Sequence, residues 1–104
     1  MPNDEISVVE LAEILEKTPS AVLIDVREQE EFEDANLKGK LIPLSVLEER
    51  WAEIPKEGTV YIHCRSGKRS RTAIQFLKGH GYDNCFNVTG GILAWFNEVS
   101  PDGR

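Results

Sequence analysis

Short β-branched and aliphatic runs alternate with helix-period patterns along this chain, and that alternation leaves few architectures open. Val8, Leu11, Ala12 and Leu15 fall at i, i+3, i+4 and i+7, one face of a helix that ends near Thr18-Pro19. Ala21-Val22-Leu23-Ile24 reads as a buried strand, and Glu28 to Asp34 as a short acidic helix. Leu41-Ile42 is a candidate strand stopped by Pro43. Ser45, with Glu48 three residues on, has the pattern of an N-cap opening a helix that carries Val46, Leu47 and Trp51. After Gly58 comes the strand Thr59-Val60-Tyr61-Ile62-His63, then a helix from about Lys68 to Lys78 with Ala73, Ile74 and Leu77 on one face. Gly79-His80-Gly81 ends it. Cys85-Phe86-Asn87-Val88 is the last strand, and Gly90-Gly91 leads into a helix containing Leu93, Trp95 and Phe96. Strands separated by helices predict an α/β fold with a parallel sheet covered on both faces. Ligands of such open sheets sit beyond the carboxyl ends of the strands, which directs attention to the residues after Ile62.

The 104 residues suit one domain, with its core expected at about 5–98 and the tail Ser100-Pro101-Asp102-Gly103-Arg104 expected to be loose. Uncharged apolar runs such as Ala21 to Ile24 fall far short of the ~20 residues of a membrane helix, and residues 1–20 have no basic-then-apolar leader. Two cysteines make no disulfide framework. Reduced thiols, a cytoplasmic location and no membrane association are therefore expected. Charge is unevenly spread: residues 1–57 carry 15 acidic and 6 basic side chains, residues 58–104 carry 6 basic and 3 acidic. Four of those cations, Arg65, Lys68, Arg69 and Arg71, lie between His63 and Arg71. Nucleic-acid binding needs a broad positive face, so no nucleic-acid partner is expected; one tight basic loop suits a small anion.

Cys64-Arg65-Ser66-Gly67-Lys68-Arg69-Ser70 joins a buried strand to a helix. A cysteine at that junction faces the loop's N–H groups and the positive end of the following helix, both of which favour thiolate over thiol. Gly67 permits a tight turn with no Cβ beside a ligand. Arg65, Lys68 and Arg69 add charge that would attract and hold an anionic substrate. The functional reading is an activated sulfur nucleophile in an anion cradle; the plainer one is a buried free cysteine beside a solvated basic loop. Strand, glycine and three cations in conjunction favour the first. His63, Cys64, His80 and Cys85 are the only soft ligands and do not make a metal set, so neither metal nor cofactor is expected. Cys85 reads as a core cysteine, His63 as a packed strand residue and His80 as a turn residue. Arg27 and Glu31 read as a structural i, i+4 pair, and Glu28, Glu30, Glu33 and Asp34 with Glu31 as a solvated helix face. Trp95 reads as core, near the pocket rim.

Three blocks in order give the chain a family resemblance: Leu23-Ile24-Asp25-Val26-Arg27 with Glu31-Phe32, then Cys64 to Ser70, then Thr89-Gly90-Gly91-Ile92 with Trp95. Over nearly its whole length the sequence resembles a single-domain rhodanese, a thiosulfate sulfurtransferase. The resemblance implies a central parallel sheet of about five strands with helices on both faces. It also implies a catalytic Cys64 that carries a persulfide, in a substrate pocket formed by Arg65, Ser66, Gly67, Lys68, Arg69 and Ser70. The sequence departs from the family at Ala35-Asn36-Leu37-Lys38-Gly39-Lys40, where a Gly-His-Ile-Pro-Gly-Ala stretch is common.

In the mechanism expected, the Cys64 thiolate attacks the outer sulfur of thiosulfate, sulfite leaves, and cyanide or a thiol then takes the sulfur. A thiol-bearing protein acceptor is a further candidate partner. Two alternatives stand beside this. One is a non-enzymatic persulfide carrier or interaction domain. The other is a cysteine-dependent phosphatase or arsenate reductase, whose His-Cys signature places an arginine six residues after the cysteine. Position 70 is serine here, with Arg69 and Arg71 on either side.

Overall fold

In the computed structural model, which describes residues 4–100, five strands form one parallel sheet in the order β1-β5-β4-β2-β3. They are β1 (Glu5–Ile6), β2 (Val22–Asp25), β3 (Lys40–Leu41), β4 (Val60–His63) and β5 (Cys85–Val88). The helices are α1 (Val8–Lys17), α2 (Gln29–Asp34), α3 (Leu47–Arg50), α4 (Lys68–Lys78) and α5 (Gly91–Glu98). Residues 101–104 of the tail lie outside the described residues. No helix among the described residues is long and apolar enough to cross a membrane.

The alternation of side chains along the central strands divides the core in two. Ile24, Val60, Ile62 and Cys64 pack with Ala73, Ile74 and Leu77 of α4 and with Leu47 and Ile54. Leu23, Tyr61 and Val88 pack against Val8 and Leu11 of α1 and Ala94 and Trp95 of α5. Helices thus cover both faces, as the alternating pattern requires. Each fully buried aliphatic side chain, such as Leu11 or Ile74, contributes about 1.5–3 kcal/mol by leaving water.

Helix starts follow local chemistry. Ser7 caps α1 in a reciprocal box with Glu10: the Glu10 amide donates to Ser7 Oγ at 3.1 Å, and the Ser7 amide to Glu10 Oε1 at 2.9 Å. The expected cap at Ser45 does not form. Pro43 opens a 3₁₀ turn over Leu44–Val46, closed by the Val46 amide on the Pro43 carbonyl, so α3 starts only at Leu47. The Ser45 hydroxyl instead donates to the Glu28 carboxylate, at 3.1 and 3.0 Å from its two oxygens. The unusual 35–40 connection is a local turn in which the Lys38 amide donates to Asn36 Oδ1 at 2.7 Å, with Lys38 left-handed at φ 66°. It delivers Lys40 opposite Ile24.

β1 was not legible as a strand, since two residues carry no periodicity. It lies at the sheet edge with Glu5 opposite Asn87 and Ile6 opposite Val88. Helix α4 reaches over to hold it: Arg71 pairs with Asp4 at 3.0 Å and with Glu5, and Lys78 with Asp4 at 2.9 Å. Hydrogen bonds from Arg71 and Lys78 bring the Asp4 carboxyl down to about 2.

Candidate active site

β4 ends at His63, and Cys64 is the first residue past it, at the carboxyl edge of the sheet. Helix α4 begins at Lys68 after Gly67, which sits at φ 106° and supplies no side-chain cap. The sulfur takes the place of that cap. Cys64 Sγ accepts the Gly67 amide at 3.1 Å and the Ser70 amide, in the first turn of α4, at 3.4 Å. The Ser70 hydroxyl is also 3.4 Å from the sulfur. Burial would push the Cys64 thiol up. The Ser70 hydroxyl and the amides of Ser70, Gly67 and Ser66 together outweigh it, so the thiol lies below its ordinary value.

The loop's carbonyls face the other way, and helix α5 is what takes them. The Ile92 amide donates to the Cys64 carbonyl at 2.9 Å and the Leu93 amide to the Arg65 carbonyl at 3.1 Å. This close approach needs glycine at position 91: φ is 58°, and a Cβ there would lie 2.4 Å from the Cys64 carbonyl oxygen. With the Cys64 and Arg65 carbonyls tied to α5, the amides of the same loop are left to converge on the sulfur.

The structure brings Cys64, Ser66, Gly67 and Ser70 together as the sequence suggests, but it separates the cations. The side chains of Arg65 and Lys68 are exposed and have no hydrogen-bond or ion-pair partner among the described residues. Arg69 does have one: its two terminal nitrogens reach the Glu31 carboxylate of α2 at 2.7 and 2.8 Å. That bidentate contact, ahead of the weaker backbone contribution of Glu28, brings the Glu31 carboxyl down to about 2. Arg71 is occupied with Asp4 and Glu5.

The expected Arg27–Glu31 pair is therefore corrected on both sides, and Glu31 is removed from the solvated acidic face. Arg27 grips the buried Asp25 instead, with Nη2 to Oδ2 at 2.7 Å and Nε to Oδ1 at 3.0 Å. It also donates to the carbonyls of Glu31 at 3.3 Å and Ala35 at 2.7 Å, closing the end of α2. The reason is burial: a guanidinium beside a fully buried carboxylate cannot leave it uncompensated for a surface partner.

His63, the register partner of Asp25 on β4, is also buried, with its Nε2 3.7 Å from Asp25 Oδ2. Burial pulls the His63 imidazole below its ordinary value, ahead of the opposing pull of Asp25, and so favours the neutral ring. Cys85 opens β5 opposite Val60, at the amino end of the strands, whereas Cys64 follows the carboxyl end of β4. Burial pushes its thiol up to about 11. His80 stacks on Trp51 and Phe76, with ring centroids 4.4 and 4.5 Å away. Trp95 packs between α5 and α1.

Asn87 is the site residue that sequence reasoning missed. It is 4% exposed; its Oδ1 accepts the Ser70 hydroxyl at 2.5 Å, and its Nδ2 donates to the Gly67 carbonyl at 3.4 Å. The available signal was an amide side chain inside an otherwise apolar strand, which a buried position tolerates only with partners.

Fold and loop together place the chain among α/β proteins that hold a cysteine where a parallel strand meets a helix. It belongs to the rhodanese-like domain family, which matches residues 7–98. It is 35% identical over 105 residues to a sulfurtransferase of Allochromatium vinosum, covering 96% of this chain and 98% of that protein. It is 37% identical over 82 residues to the adenylyltransferase and sulfurtransferase uba4 of Ogataea parapolymorpha, covering 77% of this chain but only 21% of that much longer protein. Among solved structures, a rhodanese-like domain protein from Staphylococcus aureus superposes with a TM-score of 0.83 at 31% identity, over 92% of this chain and 94% of that one. Sulfur transfer is the chemistry these relatives support.

Proposed function

We propose that this protein is a thiosulfate sulfurtransferase that works through a persulfide on Cys64. The observation that carries the reading is the sulfur's place as the cap of α4, with two amides donating to it and its thiol below the ordinary value. A thiolate so held needs no general base, and the imidazole of His63, turned toward Asp25, is not required as one.

The steps balance without a redox partner. The Cys64 thiolate attacks the outer sulfur of thiosulfate, a Cys64 S–S bond forms, and the S–S bond of thiosulfate breaks with its electron pair leaving on sulfite. The negative charge now sits on the outer sulfur of the persulfide, within reach of the loop's amides, which act on it as an oxyanion hole acts on oxygen. Cyanide or a thiolate then attacks that outer sulfur, leaves as thiocyanate or as a new persulfide, and returns Cys64 to the thiolate. Arg65 and Lys68, unpaired at the rim, steer and hold the sulfonate end, with Arg69 contributing less while Glu31 occupies it.

Phosphate or arsenate chemistry fits the loop poorly. The position that an arginine would need to close a ring around a tetrahedral oxyanion is Ser70, which is fully buried and engaged with Asn87 and the sulfur. Relay of the persulfide sulfur to a thiol-bearing protein uses the same Cys64 chemistry and is separated by turnover. The test is an intact mass after incubation with thiosulfate, followed by cyanide. One added sulfur, absent in Cys64→Ser and removed by cyanide as thiocyanate, is the expected result. Hydrolysis of an aryl phosphate without any sulfur uptake would overturn it.

A further inference from the structure

The Ser70 hydroxyl has one hydrogen and two claimants. Asn87 Oδ1 is 2.5 Å away and Cys64 Sγ 3.4 Å away. All three side chains are buried, at 0% exposure for Ser70, 1% for Cys64 and 4% for Asn87, so no bulk water settles the competition. The Asn87 amide cannot turn over to yield. Its Nδ2 donates to the Gly67 carbonyl, and the flipped amide would set two carbonyl oxygens against each other. The shorter contact therefore holds the hydrogen more strongly and leaves the thiolate a weakened share of it, while a neutral Cys64 thiol can complete the chain by donating to Ser70 Oγ.

We propose that Asn87 is a positioning residue for Cys64: by drawing the Ser70 hydroxyl hydrogen toward its Oδ1 it weakens that donor to the thiolate and keeps the sulfur more basic and more nucleophilic than a full hydroxyl bond added to the two amides would leave it. This deepens the sulfur-transfer reading, since it rests on Cys64 being the reacting sulfur. The consequence for the reaction is directional. A thiolate stabilised by every available donor attacks more slowly, because nucleophilicity falls as the thiol becomes more acidic. Once the charge has moved to the outer sulfur of the persulfide, Sγ has no use for the hydroxyl, and Asn87 keeps Ser70 in the same place through the cycle.

The charged groups around the loop are Arg65, Lys68 and Arg69, the last with Glu31 of α2 upon it, together with Arg71 and Glu5 along the cleft beyond Ser66. His63 on β4 stands beside Asp25. None of them is changed by replacing Asn87. The Gly67 carbonyl also stays satisfied, because it accepts the Arg71 amide at 3.2 Å.

The experiment is the pH dependence of iodoacetamide alkylation at Cys64, followed by site-resolved mass spectrometry, in the full chain. In Asn87→Leu the Ser70 hydroxyl is released to the sulfur. The midpoint should fall by about one pH unit, the worth of one hydrogen bond to a charged group. The plateau rate at high pH should fall about threefold. Ser70→Ala should raise the midpoint by about one unit in the Asn87→Leu background and by clearly less in wild type. A residue that merely supported the loop would do the opposite, since lost amide donors raise the midpoint. Asn87→Ala removes the same acceptor without adding bulk and must give the same sign if Asn87→Leu does not fold. A midpoint that rises or stays put in a folded Asn87 variant, or a Ser70→Ala effect equal in both backgrounds, would overturn the proposal. Alkylation reads the sulfur directly, so failure to use thiosulfate would sink the donor assignment and leave this result standing.

Discussion

Replacing Glu31 by Gln isolates the contact between α2 and the cysteine loop. Gln keeps the oxygen that accepts the Glu28 amide at 3.0 Å, so the start of α2 survives, while the bidentate hold on Arg69 is lost. A carboxyl brought from 4.5 to about 2 would correspond to about 3 kcal/mol if the pair were dry. Both side chains are about a third exposed, at 33% for Arg69 and 30% for Glu31, so solvent screening cuts this to about 1 kcal/mol. For a chain of this size that is a melting temperature lower by about 5 °C at pH 7. The sign with pH follows from the depressed carboxyl: its stabilisation is complete above its unfolded value near 4.5 and disappears as pH falls toward 2. Wild type and variant should therefore converge in acid. The same substitution frees Arg69 beside Arg65 and Lys68, and the KM for thiosulfate should fall about threefold, a gain of the size one partly exposed cation provides. Thermal denaturation from pH 7 to 2.5 and steady-state transfer to cyanide measure the two effects. An unchanged melting temperature at pH 7, or a KM that rises, refutes the reasoning.

Cys64→Ser should abolish sulfur uptake, whereas Cys85→Ser should retain near-normal transfer, because the Cys85 thiol is pushed up to about 11 and lies at the opposite end of the strands; intact mass after thiosulfate distinguishes them. Arg65→Ala and Lys68→Ala should each raise the KM for thiosulfate several-fold with little change in stability. Arg71→Ala should instead loosen β1 by removing its links to Asp4 and Glu5, read as faster amide hydrogen exchange at Glu5 and Ile6. Gly91→Ala should cost about 2–3 kcal/mol and most of the activity, since its Cβ would collide with the Cys64 carbonyl at a positive φ; denaturant unfolding and the cyanide assay check it.

The sequence by itself determined the α/β class and the placing of Cys64 where a strand meets a helix. Strand runs of four residues and helix periods through Val8, Leu11 and Leu15 or Ala73, Ile74 and Leu77 are local patterns, and burying them admits little besides a covered parallel sheet. Cys64 and Gly67 were legible for the same reason: strand, tight turn and helix start are contiguous, so their mutual geometry is nearly fixed by the chain itself. Asn36 and Lys38 formed a turn within reach of local chemistry, whereas Ser45 failed as a cap because Pro43 had already started a 3₁₀ turn. Tertiary structure alone decided which cations are free. Glu31 and Arg69 are 38 residues apart, and Arg71 and Asp4 are 67 apart; such pairs exist only once α2 and β1 have docked beside α4. Asn87 and Gly91 likewise act across the sheet edge, one through Ser70 and the other against the Cys64 carbonyl. Hydrogen bonds and ion pairs need atoms within about 3 Å of each other, a distance that sequence order sets only for near neighbours, and packing sets for all the rest.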